Sequence, residues 1–228
     1  MKPVVAVFAH PDDEAFGPSG ALAQLAKTRD VYLICVTDGA AGINSLAKPD
    51  SKQSESDKVL TLADIRHEEL LESAQILGIK KVFFLNYEDG TLSNNLYHEI
   101  AEKIQKILDQ LQPELLLTYD IRGVSGHLDH ITVALVTTFV FEKSSYVHEL
   151  WYYVITEKRR EAFKEYFIYF PPGYKKEQID KTIDVSDVWE QKLQAMHKHE
   201  SQKHDVEKIL AGYRVLPKEE NFVIRKKH

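Results

Sequence analysis

Apolar, β-rich runs recur along the chain at Val4 to Phe8, Val31 to Val36, Val82 to Leu85, Leu115 to Thr118 and Leu150 to Ile155. The segments between them carry apolar residues at helical spacing, and that alternation builds a parallel sheet covered on both faces. The pattern predicts helices over about Pro18 to Lys27, over Leu60 to Leu77 with Gly78 as the C-terminal cap, and over Asn94 to Leu111, stopping before Pro113. A fourth should begin near His127 and continue through Ile131, Leu135 and Phe139, and a last should span Val188 to Leu210 behind a Ser186 or Asp187 cap. The expected fold class is α/β: a Rossmann-like, doubly wound, mostly parallel sheet of order 3-2-1-4-5 with helices on both faces. One domain is expected, with a core over residues 2–155 and C-terminal strand and helix additions over 156–228. Within those additions, Tyr166 to Phe170 followed by Pro171-Pro172-Gly173 predicts an extra strand and a turn. Asn44 to Lys58 has hardly an apolar residue and reads as a long loop, either a lid or a surface insertion.

Two charged clusters follow predicted strands. The first strand ends in Ala9-His10-Pro11-Asp12-Asp13-Glu14, and Gly126-His127-Leu128-Asp129-His130 lies beyond the end of the fourth. In the order 3-2-1-4-5 these strands are neighbours at the switch point where such folds place ligands, so the clusters should meet. Carboxylates crowded there repel one another unless a cation or backbone donors compensate them. His10 and Asp13 are three apart on a tight turn, and His127 and His130 are three apart at a helix start. Two histidines and one carboxylate leave a four-coordinate zinc with a position open for water, although the same donors also hold iron(II). His67, His98, His148, His197 and His228 carry no such pattern and read as packing or surface groups.

Composition narrows the function classes. The 228 residues are 43% hydrophobic and 28% charged, and no apolar run approaches the ~20 residues of a membrane span. A net charge of −6 disfavours a nucleic-acid footprint, and the short clusters Lys158-Arg159-Arg160 and Arg225-Lys226-Lys227 read as solvated faces. The N-terminal residues lack the apolar segment of a signal peptide, so a cytoplasmic location is expected. Cys35, the single cysteine, sits inside an apolar run and reads as a buried structural thiol.

The chain resembles the zinc-dependent LmbE-like de-N-acetylases, which include the PIG-L-type enzymes and those of mycothiol and bacillithiol synthesis. The resemblance rests on His10 to Glu14, Thr37-Asp38-Gly39, Arg66 with Glu69, Gly126 to His130, and His199-Glu200-Ser201-Gln202. It implies that His10, Asp13 and His130 bind Zn2+, that Asp12 is the general base, and that His127 is an electrophilic or acid partner, protonated as it meets the oxyanion. It further implies that Asp129 orients a histidine, either His127 or His130, and that Arg66 and Asp38 contact substrate. Two positions depart from the family pattern: Leu128 stands where Pro is common, and Ser125 where some members carry Tyr. The implied reaction is hydrolysis of the N-acetyl group of an N-acetylglucosamine-type sugar or conjugate, a small-molecule partner. Relatives of this type include oligomers, so a homo-oligomer is compatible with the resemblance. The rival readings are a zinc hydrolase of another amide and a metabolite-binding α/β module without catalysis. Against the latter, no G-x-G-x-x-G follows the first strand.

Overall fold

The computed structural model describes residues 2–46, 60–162 and 169–227. The five apolar runs form parallel strands: β1 (Val4–Phe8), β2 (Val31–Thr37), β3 (Lys81–Tyr87), β4 (Leu115–Tyr119) and β5 (Glu149–Val154). Two more strands, β6 (Lys181–Asp184) and β7 (Glu219–Lys226), extend the sheet, β7 antiparallel to β5 and β6 antiparallel to β7. The order is β3-β2-β1-β4-β5-β7-β6, so the expected 3-2-1-4-5 core is present and carries a mixed margin. Every residue of β1 is buried because helices cover both faces of the sheet. Val4, Ala6 and Phe8 enter one apolar layer, and Val5 and Val7 the other, as the two-residue period of a strand requires.

The helices are α1 (Asp13–Phe16), α2 (Ser19–Ala26), α3 (Leu62–Leu77), α4 (Tyr97–Leu111), α5 (Leu128–Lys143), α6 (Glu157–Ala162), α7 (Trp189–His197) and α8 (Lys203–Tyr213). α3 starts at a capping box in which Thr61 and Asp64 satisfy each other's backbone amides, and it ends at Gly78 with φ 75°, a left-handed cap. α2, α3 and α7 pack on one face of the sheet, and α4 and α5 on the other. A buried pair ties this frame together. Lys192 of α7 lies 2.9 Å from Glu220 of β7, whose carboxylate also accepts the amides of Gly20 and Ala21 at the start of α2.

Four expectations change. The helix expected over Pro18 to Lys27 is preceded by a separate turn, α1, wound from the charged motif itself. His127 is the N-cap of α5, in extended conformation, rather than its first helical residue. The single helix expected from Val188 to Leu210 breaks at His199 to Gln202, because the Ser201 amide and hydroxyl turn inward to bind Glu69 at 2.7 Å each. The chain from Tyr169 to Gly173 is irregular, while the rest of the strand expected over Tyr166 to Phe170 lies outside the described residues. Most of the Asn44 to Lys58 loop also lies outside them. Among the described residues no helix is long and apolar enough to cross a membrane.

Candidate metal centre and active-site pocket

The carboxyl ends of β1 and β4 bring both motifs into one pocket of about 450 Å³, lined by His10, Asp12, Asp13, Arg66, His127 and His130 among others. Asp12 makes the sharp turn out of β1 with φ 137°, a strained conformation for a residue with a side chain. That turn aims the Asp13 carboxylate back at the strand end, where Oδ2 accepts the amides of Ala9 (3.1 Å) and His10 (2.8 Å). The other oxygen, Oδ1, lies 3.2 Å from His130 Nε2.

Hydrogen-bond partners fix the ring nitrogens of both histidines. His130 Nδ1 lies 3.0 Å from the Gly123 carbonyl, which can only accept, so Nδ1 carries a proton and Nε2 is the nitrogen turned toward Asp13 and His10. His10 Nε2 lies 3.0 Å from Asp89 Oδ1 and 3.2 Å from Asp129 Oδ2, both acceptors, so the Nδ1 lone pair is bare. His10 Nδ1 and His130 Nε2 face each other at 3.0 Å, and Asp13 lies 3.7 Å from His10 Nδ1. Donors about 2.0–2.1 Å from a tetrahedral zinc stand about 3.3 Å apart, so the three groups fit one divalent cation. Without it a proton takes its place. Burial disfavours charge on His10, but Asp129, Asp89 and Asp13 outweigh it and push its pKa up to about 10.

His10, His127 and His130 also have metal-ligand spacing, as does a further convergence of His10, Asp89, His127 and Asp129. Its carboxylates are otherwise engaged. Asp129 accepts the amides of Gly90 (2.8 Å) and Leu92 (3.1 Å), and Asp89 accepts that of Ala41 (3.2 Å). They are placed as outer partners that orient His10, the usual company of a metal-bound imidazole. The Asp129 carboxylate meets His10 Nε2 at 3.2 Å. Its backbone amide does hold His127, donating to Nδ1 at 3.1 Å, which leaves the ring proton on Nε2. Burial, then the neighbouring His10 and His130 rings, lowers the His127 pKa to about 4. His127 is thus neutral in the metal-free site, with Nε2–H as its donor.

The Asp12 carboxylate takes a charge-assisted bond from Arg66 Nη2 at 2.8 Å. Burial pushes its pKa up to about 7, Arg66 opposing and Asp13 adding. Arg66 also donates to the carbonyls of Pro11 (2.6 Å) and Gly39 (2.7 Å), so its terminal nitrogens clamp the strained turn. Asp38 is not among the pocket's lining residues. Its Oδ1 instead caps the amides of Ala40 (3.0 Å) and Asp89 (3.2 Å), holding the loop that delivers Asp89. Glu14, fully buried, receives His199 Nε2 at 2.8 Å, which links α1 to the break before α8.

Sequence reasoning missed Asp89, whose only signal is an acidic pair and a glycine directly after β3. It also placed Arg159 on a solvated face, whereas Arg159 and Tyr153 line the far end of the pocket.

The match to known proteins agrees with this geometry. The family model PIG-L, GlcNAc-PI de-N-acetylase, matches residues 5–141. A 1D-myo-inositol 2-acetamido-2-deoxy-alpha-D-glucopyranoside deacetylase of Mycobacteroides abscessus is 29% identical, covering 86% of this chain and 80% of its own. The solved N,N'-diacetylchitobiose deacetylase of Pyrococcus horikoshii is 24% identical, with a TM-score of 0.67 over 99% of this chain and 84% of its own. The 4-carboxy-2-hydroxymuconate hydratase GalB of Pseudomonas putida shares the fold at 18% identity, with a TM-score of 0.71 over 100% of this chain and 98% of its own. The solved structures bear on the fold alone; on the strength of the family match over its strands and both motifs, the chain belongs to the PIG-L family of metal-dependent de-N-acetylases.

Proposed function

We propose that the enzyme removes the acetyl group from an N-acetylglucosamine-type sugar or conjugate, with zinc held by His10, Asp13 and His130. The observation that carries this reading is the pair of imidazole nitrogens facing each other at 3.0 Å beside Asp13, with Asp12 next in the chain. A divalent cation bound there supplies Lewis acidity and lowers the pKa of a bound water to about 7.

The protein's own groups do the rest. Asp12, with its pKa near neutrality, takes the proton of the attacking water and returns it to the departing amine; one group performs both transfers because its affinity for a proton is balanced. Arg66 holds that carboxylate in place through Oδ2 and clamps the strained turn. His127 donates Nε2–H to the acetyl oxygen as negative charge develops on it, a task a neutral imidazole performs without first acquiring a proton. Asp89 and Asp129 keep the His10 ring in the tautomer that leaves Nδ1 bare.

The test is acetate release by the zinc-loaded protein from a panel of N-acetylated glucosamine conjugates and simple N-acetyl amides. Turnover confined to the amino sugars is expected. Hydrolysis of unrelated amides only would favour a different amidase, and a protein that takes up no divalent metal would overturn the site.

A further inference from the structure

Beyond the metal ligands, the pocket continues along the ends of β4 and β5 to polar atoms that deacetylation does not use. Tyr153 is 1% exposed, lines the pocket, and its hydroxyl has no hydrogen-bond partner among the described residues. Buried hydroxyls are nearly always paired, and this one is held protonated by burial, so it is a donor awaiting an acceptor. Arg159 lines the same end. Its guanidinium donates to the Tyr213 hydroxyl at 2.6 Å and lies 4.7 Å from the Tyr213 ring centroid and 5.8 Å from that of Tyr153.

No carboxylate among the described residues pairs with Arg159. The acids around it are held by other cations: Glu161 by Arg160 at 3.0 Å, Glu220 by Lys192 at 2.9 Å, and Asp205 by Lys208 at 3.9 Å. Ile155, Phe170 and Ile209 line this end and lower the local dielectric, which strengthens any charge contact made there. Only β4 separates β1 from β5, so the end of β5, where Tyr153 stands, is about two strand spacings, roughly 10 Å, from the end of β1, and Arg159 follows on α6. A sugar ring with its acetamido group fills that span. What reaches Arg159 is the substituent beyond the ring.

We propose that Arg159 and the Tyr153 hydroxyl form an anion-binding subsite, and that the substrate is an N-acetylated sugar carrying a carboxylate or phosphate on its aglycone. The planar fork of Arg159 suits either anion, and the Tyr153 hydroxyl supplies a further donor. The inference rests on the de-N-acetylase reading for the bond that is broken, and on Arg159 and Tyr153 for the chemistry of the other end.

The experiment compares three compounds on the zinc-loaded enzyme: methyl N-acetylglucosaminide, carboxymethyl N-acetylglucosaminide and N-acetylglucosamine 1-phosphate. The ratio of kcat/KM for each anionic compound to that for the neutral one should be about 10–100 in the wild type, the range of a hydrogen bond to a charged group. The larger ratio identifies carboxylate or phosphate as the preferred anion. Arg159→Gln should bring the ratio close to one, Arg159→Lys should leave it intermediate, and Tyr153→Phe should lower it severalfold. If Arg159→Gln does not fold, the Lys and Phe variants decide. A wild-type ratio near one, or a ratio unmoved by the variants that fold, overturns the subsite. If none of the compounds is hydrolysed, the deacetylase reading fails, and the unreacted compounds then report binding alone by calorimetry. Tighter binding of an anion to the wild type than to Arg159→Lys or Tyr153→Phe keeps the subsite, and equal binding removes it.

Discussion

Asp129→Asn separates two roles for one carboxylate. In the wild type Oδ2 faces His10 Nε2 at 3.2 Å and the Gly90 amide at 2.8 Å, while Oδ1 accepts the Leu92 amide at 3.1 Å. All three partners donate. An asparagine keeps one acceptor and presents an NH2 on the other side, so either the Leu92 amide or the His10 and Gly90 pair meets a donor. If the amide nitrogen faces His10, nothing but Asp89 holds the tautomer that bares Nδ1. Loss of such an outer partner weakens metal binding by about 10–100-fold, equivalent to about 1.4–2.7 kcal/mol. The zinc Kd, measured by competition with a chromophoric chelator, should rise by that factor, and activity at saturating zinc should recover much of its value. Were Asp129 instead the orienting partner of His127, the zinc Kd would stay unchanged while kcat fell. That result would refute the assignment made from the geometry.

Other outcomes follow from the same contacts. Asp12→Asn should retain zinc and lose about 10²–10⁴ in kcat, the contribution of a positioned general base, as read by metal analysis and acetate release. Because the metal-free site keeps His10 protonated at neutral pH, its pKa being raised to about 10, zinc binding at pH 7 should release about one proton per ion. The dependence of the calorimetric enthalpy on buffer ionisation reads that number, and a value of zero would contradict the charge balance described. Lys192→Met leaves Glu220 buried without its cation, so unfolding free energy should fall by about 3–5 kcal/mol. Thermal melts should then shift down by roughly 6–20 °C for a domain of this size, and an unshifted melt would mean that the pair contributes little.

The parallel core was legible because each of β1 to β5 is a short apolar run bounded by turn residues, and burial on both faces writes itself into sequence as unbroken hydrophobicity. β6 and β7 were not. β6 is mostly exposed, and β7 opens on Glu219, Glu220 and Asn221, of which Glu220 is buried because Lys192 and the amides of Gly20 and Ala21 reach it. The break before α8 was hidden for a similar reason. His199 and Ser201 fit a helical pattern until Glu14 and Glu69, far earlier in the chain, bind them.

In the site, His10, Asp12 and Asp13 could be read from one hexapeptide because they act within one turn. The partners of His10 could not. Asp89 arrives from the loop after β3, and the aim of the Asp129 carboxylate depends on where the Gly90 and Leu92 amides stand. Arg159 shows the limit most plainly. A cation between two other basic residues looks solvated in sequence, and only the adjacency of β5 to β4 turns it into the pocket.

The central claim is that one cation binds between His10 Nδ1, Asp13 and His130 Nε2, with His127 outside its coordination sphere. Anomalous diffraction at the zinc edge from crystals of the zinc-loaded protein tests it most directly. The account predicts a single peak with those three residues about 2.0–2.2 Å from the metal, and His127 Nε2 beyond bonding distance. A peak ligated by His127, or one among His10 Nε2, Asp89 and Asp129, would contradict it.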